Sequence, residues 1–228
     1  MKTTIYSLIL IVLLSCGNEK TLLLPEINYS DITEIQDVSA GYLFYNESKK
    51  DSVELNRKNL ISTTNWLINV DKRLTLKQAI PHIKYLQNKK NNSSHKKEDA
   101  KNYFTCNDKS RKNLGFIEFT NVVYDEGPSW KNASIISQLN YTKTLNIEVR
   151  SINIIIIKSI EIEDRFKTTN SLNLENIIIN TVKDTPENID IVLDFNTQIT
   201  FQDYISIKSI LTKLNLKNIT ISNKEYLF

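Results

Sequence analysis

One strand–turn–helix pattern occurs twice at a constant spacing, and it constrains the fold more than any other feature. LINVDKRLTLKQAIPHIKYL (67–86) aligns without a gap to VLDFNTQITFQDYISIKSIL (192–211). Leu67, Ile68 and Val70 match Val192, Leu193 and Phe195; Leu74-Thr75-Leu76 matches Ile199-Thr200-Phe201; Ile80 and Leu86 match Ile205 and Leu211. Each copy has an apolar run short enough for a strand, a polar turn, then a threonine placed as a helix N-cap. Gln78 and Asp203, three residues on, complete a capping box. Beyond the caps, Leu76, Ala79, Ile80, Ile83 and Leu86, and Phe201, Tyr204, Ile205, Leu211 and Leu214, mark one face of a 3.6-residue period. Pro81 has no counterpart in the second copy and removes one helical hydrogen bond. Duplication of one unit and chance likeness between two joints both account for the match.

The rest of the chain supplies strands for these helices to cover. GYLFYNE (41–47), SVELNR (52–57) and WLINV (66–70) read as strands, residues 75–87 as a helix, and LGFIEFTNVVY (114–124) as a further strand. The β-branched segment 145–165 predicts one or two strands; its IIII core is far too short to cross a membrane. Leu174, Ile177, Ile178 and Val182 give a helix over 172–184, followed by strand 189–195, helix 201–214 and strand 218–222. The fold class is α+β, with helices packed on a sheet and a C-terminal order strand-strand-helix-strand-helix-strand. DEGPSW (125–130) holds the one Gly-Pro pair and marks a boundary. It separates an N-terminal α/β domain (41–125) and a linker (126–144) from a C-terminal domain (145–228).

Asp190, Asp194 and Asp203 crowd into fifteen residues and invite an acid–base reading. Alternation sets Ile189, Ile191, Leu193 and Phe195 on one face of the strand, with Asp190, Val192 and Asp194 on the other. Four residues at ~3.3 Å separate the first two carboxylates by roughly 13 Å, beyond the ~5–9.5 Å of paired glycosidase carboxylates. Asp203 is explained by capping and by the helix dipole. The expectation is a solvated face and a cap, with no catalytic residue.

At the N-terminus, Lys2, the apolar run Ile5–Leu14 and Ser15-Cys16 have the layout of a secretory signal. Leu13-Leu14-Ser15-Cys16 also resembles the lipobox of bacterial lipoproteins. That resemblance implies removal of residues 1–15, lipidation (palmitate among the acyl chains) of Cys16, a tether over 16–40, and a place in the cell envelope on the periplasmic face of the outer or inner membrane. Several acyl chains hold a protein to a bilayer far more firmly than one. Cys106 then has no partner and reads as a small buried thiol. The net charge of +3 gives no footprint for nucleic acid.

The segment from about 150 to 228 resembles the periplasmic domain of the ExbD/TolR biopolymer-transport family. The resemblance rests on the strand IDIVLDF, the turn NTQ, the helix TFQDYISIKSILTKL and the closing strand NITIS. It implies a domain that pairs with itself or binds envelope partners such as peptidoglycan or protein. In that family an N-terminal membrane helix carries a proton-relay aspartate; residues 5–14 hold no acid, so a motor role does not carry over. The leading expectation is a non-enzymatic interaction or scaffold protein, accessory to a TonB- or Tol-type system. The alternatives are a ligand-binding or hydrolytic lipoprotein with its site near Trp66, His82 and Tyr103, and a lipoprotein conferring immunity to a toxin. No cofactor is expected, and His95, Asp99 and Cys106 lack compact metal-ligand spacing. Lys89, Lys90, Lys96, Lys97 and Lys101 are the candidate contacts with an anionic surface; the other reading of this stretch is a solvated loop.

Overall fold

The computed structural model describes residues 20–95, 97–129, 143–159, 166–183, 188–214 and 218–228. Elements in chain order are β1 (Glu26–Ile27), β2 (Val38–Tyr45), β3 (Val53–Asn56), β4 (Asn65–Val70), α1 (Leu76–Asn91), β5 (Asn102–Asp108), β6 (Asn113–Glu118), β7 (Val123–Glu126), β8 (Lys143–Ser151), β9 (Ile154–Ser159), β10 (Phe166–Thr169), α2 (Ser171–Val182), β11 (Ile189–Phe195), α3 (Phe201–Lys213) and β12 (Ile219–Leu227). They form two mixed sheets with helices packed on them, an α+β fold. The first sheet runs β1-β5-β4-β2-β3, with β6 on the other side of β5; the second runs β10-β9-β8-β11-β12-β7.

The two sheets share a plan. Each has a β-hairpin (β2–β3, β8–β9) whose first strand lies parallel to the strand entering the joint (β4, β11). On the far side comes the strand that follows the helix (β5, β12), to which a short parallel strand from earlier in the chain (β1, β7) is added. β7 flanks β12 on the side away from β11, whereas β1 pairs the end of β5 on the β4 side, where Asn107 N donates to Pro25 O and Lys109 N to Ile27 O. Asp71 and Asn196, matched in the alignment, each donate N–H to the preceding parallel strand, at Leu43 and Val149, both at 2.9 Å. Each also accepts on its side-chain oxygen from the residue two ahead, Arg73 N at 3.0 Å and Gln198 N at 2.9 Å.

These equivalent turns then meet. Thr75 bridges Thr200 antiparallel. Leu76 N donates to Ile199 O at 3.0 Å and the matched Phe201 N to Leu74 O at 2.6 Å; Lys77 N donates to Thr197 O at 2.8 Å and the matched Gln202 N to Lys72 O at 3.2 Å. Every bond has its mirror at the alignment spacing, so the joints are related by a local pseudo-twofold axis. The helices cross over as well. On α3, Gln202 clasps the backbone of Glu26 beside the first sheet, accepting from its N–H and donating to its carbonyl, both at 2.8 Å. On α1, Lys84 donates to Tyr124 O of the second sheet at 3.1 Å.

The caps agree with the pattern. Thr75 and Gln78 form the full reciprocal box, while Thr200 accepts from Asp203 N at 3.1 Å. Replacing either threonine by alanine is expected to lower the unfolding free energy by about 1 kcal/mol in urea titration. A loss below 0.3 kcal/mol in both variants would count against the caps. Pro81 leaves α1 unbroken because it lies on the exposed side, where water reaches the freed Lys77 carbonyl.

Several expectations change. Residues 114–124 are two strands in different sheets, β6 and β7, since Val122 N turns back to Phe119 O at 3.2 Å. The boundary at 125–126 falls inside β7. Of the 126–144 linker, Gly127 takes φ +85° and donates to Leu227 O at 2.7 Å; residues 130–142 lie outside the described set. The 16–40 tether is folded from Lys20 on. β1 pairs with β5, and Ser30 lies against Gly115, whose missing Cβ would stand 2.8 Å from the serine Cβ. The last strand extends to Leu227 rather than 222.

Candidate functional site

Asp194 is not on a solvated face. It is fully buried, accepting from Ser129 N (3.0 Å), Ser129 Oγ (2.8 Å) and Asn146 Nδ2 (3.0 Å). Burial pushes its carboxyl above the ordinary value, against the lowering effect of those donors. Alternation does set Asp194 on the face opposite Leu193 and Phe195, but chain from the 127–129 turn covers that face. Beside it Glu148, also buried, is held by Arg150 and Lys158, which keep its carboxyl low against the opposing cost of burial. Asp203 is a capping-turn residue on α3 and Asp190 is half-buried in β11, so the three aspartates form no cluster.

A second polar network crosses the core. Between Ile191 and Leu193 the register of β12 shifts, and pairing resumes with Glu225 opposite Leu193, on the core face. Glu225 is fully buried, accepting from Tyr204 Oη at 2.8 Å and Lys208 Nζ at 2.5 Å, while the Tyr204 and Tyr124 hydroxyls lie 3.3 Å apart. Burial raises both phenols well above their usual range. Every member has a partner within the network, so its role is to hold α3 against β7 and β12.

The lysine stretch divides. Lys90 points inward: it is 4% exposed, donates to Lys101 O (2.8 Å) and Asn102 Oδ1 (3.0 Å), and sits 5.2 Å from the Trp66 ring centroid. Desolvation lowers it to about 8. It is therefore withdrawn from any flat surface, because the last turn of α1 faces the β4–β5 ends. Lys97 pairs with Asp99 and Lys101 with Glu118; Lys89 is exposed. Lys96 and Cys16 lie outside the described residues.

Trp66 and Tyr103 occupy opposite faces of the first sheet, since Tyr103 is in register with Leu67, so no pocket unites them with His82. Cys106 is a fully buried thiol that burial pushes up, remote in environment from the exposed His95 and Asp99. Among the described residues no three His, Cys, Asp or Glu side chains are grouped to hold a metal ion.

The open concavity of most interest is a groove of about 450 Å³ between β1, α2 and α3. Ile27, Ile152 and Ile210 supply apolar lining, and Leu172 (87% exposed) and Tyr29 (39%) its projecting rim. At one side Lys213 and Glu175 join α3 to α2 at 2.9 Å. At the other, Lys109 and Lys72 hold the Glu26 carboxyl down to about 2. Two of the three groove serines are engaged, Ser209 Oγ with Tyr29 O (2.8 Å) and Ser206 Oγ with Gln202 O (2.9 Å). Its chemistry is that of a binding surface: apolar floor, fixed charges and two hydroxyls already committed. Tyr29 lies far in sequence from α2 and α3, so no local motif signalled it. A smaller groove, about 330 Å³, occupies the pseudo-equivalent place between α1 and β7.

No known family model, curated protein or solved structure matches the chain.

Proposed function

We infer that the chain is a lipid-anchored envelope protein that works as a binding module for another envelope component, a role accessory to TonB- or Tol-type machinery. The observation that carries this reading is Leu13-Leu14-Ser15-Cys16 standing four residues ahead of Lys20, which pairs with Glu54 on β3. Four residues reach at most ~14 Å, so an anchor at Cys16 would hold the body close to the bilayer. Leu23 is tied to the β4–α1 turn through Asp71 Oδ2 (3.2 Å) and Lys72 N (2.8 Å). A membrane reached from residue 16 would therefore meet the pole bearing Lys20, Lys72 and Arg73. Lys89, Lys97 and Lys101 belong to the other end of α1, about 24 Å away for its 16 residues. They would face away from that bilayer, toward the periplasm or a partner. Among the described residues no helix is long and apolar enough to cross a membrane.

The test is metabolic labelling with palmitate. The intact chain is expected to take up label and fractionate with membranes, whereas Cys16→Ala takes up none and is released from the membrane pellet. Equal labelling of the two would sink the anchor.

A further inference from the structure

The two halves repeat one another through the hairpin and then diverge. In the second half β9 leads to β10, which pairs antiparallel along it from Phe166↔Lys158 to Thr169↔Ile155. After β10 comes α2, which packs against α3. In the first half β3 passes through residues 57–64 directly into β4. Among the described residues, no strand or helix of the first half takes the place that β10 and α2 hold in the second. Ile207 and Ile210 of α3 are buried and partly buried; their counterparts on α1 are His82, half-buried, and Tyr85, 44% exposed.

The backbone of β3 is open in the same way. Asn46 N donates to Ser52 O at 2.8 Å, which sets the alternation of the β2–β3 ladder. Pairs Phe44↔Glu54 and Tyr42↔Asn56 then exchange hydrogen bonds; the outward groups are the C=O of Val53 and the N–H and C=O of Leu55, the Val53 N–H being bonded to Lys50 O. Among the described residues β2 is the one strand that pairs with β3. Such an edge is a template for strand addition, and the second half displays what fits the equivalent place: a four-residue antiparallel strand.

We propose that the β3 edge and the neighbouring flank of α1 bind an extended segment of another envelope polypeptide, which adds antiparallel to β3 as β10 adds to β9. The proposal names the surface used in the binding role inferred above and rests on that role. Alternate side chains of the incoming segment face the flank at His82 and Tyr85 and are apolar or aromatic there. The Arg57 guanidinium already lies 5.3 Å from the Tyr85 ring centroid, so a planar side chain has a stacked surface to meet. The intervening side chains lie beside Glu54 and Asn56 and are polar.

Photo-crosslinking from benzoyl-phenylalanine placed at position 56 of the full-length chain in intact envelopes tests this, with position 114 on the exposed part of β6 as control. The expected result is a discrete adduct with a different polypeptide from position 56 and none from 114. Leu55→Pro, which removes an outward N–H, abolishes it, and Tyr85→Ser cuts it several-fold with an unchanged melting temperature. A synthetic peptide spanning the crosslinked segment then slows hydrogen exchange at the Leu55 amide of the purified chain. The proposal is overturned by an adduct of two copies of this chain, by adducts with lipid alone, or by an adduct that survives Leu55→Pro. It is equally overturned by no adduct in cells where palmitate labelling succeeds. Failed labelling instead strikes the anchoring inference, and the crosslink from position 56 is read independently of it.

Discussion

Phe104→Ala is expected to lower the unfolding free energy by about 3–5 kcal/mol and to weaken both sheets together. Phe104 sits on β5 of the first sheet at 1% exposure. It stacks on Phe119 at 3.8 Å between centroids and 7° between planes. It also meets Phe201 edge-on at 5.1 Å and Tyr204 at 6.3 Å, both on α3 of the second half. Phe195 of the second sheet continues the chain of rings to Tyr204 at 5.1 Å. Buried side chains of both halves belong to one apolar cluster, so a cavity at Phe104 removes contacts from both. Urea unfolding followed by far-ultraviolet dichroism and by Trp fluorescence would show one coincident transition at lower urea. Two separated transitions, or a loss below 1.5 kcal/mol, would show that the halves are energetically independent.

Glu225→Ala has a comparable expected cost, about 3–5 kcal/mol, because it leaves the ammonium of Lys208 without its counter-charge. Lys208 is 12% exposed at its side chain and Glu225 not at all, so water offers little compensation. The Tyr204 hydroxyl loses its acceptor too, retaining only the longer contact to Tyr124. Replacing both charges, Glu225→Leu with Lys208→Met, is expected to cost far less than Glu225→Ala, since an apolar pair has no desolvation to offset. A double-mutant cycle from chemical denaturation measures this coupling. If the double variant loses as much as the two single losses added together, the ion pair is not a unit and the account of the network fails.

Much of the framework could be read along the chain. The caps at Thr75 and Thr200, the helical faces of α1, α2 and α3 and the strands β4 and β11 that enter the joints follow from short-range periodicity, whereas β5 (Asn102–Asp108), the strand after α1, lies in a lysine-rich stretch that reads as solvated loop. The equivalence of residues 67–86 and 192–211 was legible as well. The alignment could not say that the two turns bind each other, because that contact depends on how two sheets meet. Asp194 shows the same limit: alternation fixed which way it points, and only the 127–129 turn decided that the face is covered. Glu225 was hidden by a register shift in β12, which turned a polar tail of sequence into a strand with a core-facing carboxylate. Lys90 reads as one lysine among many until α1 and β4 are placed together, which buries it with its ammonium over the Trp66 ring.

The sequence by itself determined the class of fold, the two strand–turn–helix joints with their caps, and the lipobox-like segment at the N-terminus, because each is written within a span of some twenty residues. Only the tertiary structure decided the pseudo-twofold pairing of the joints, the crossed packing of α1 and α3, the burial of Asp194, Glu225 and Lys90, and the open edge of β3. Those features depend on contacts between residues far apart in the chain, where burial and register are set by the neighbouring sheet rather than by local pattern.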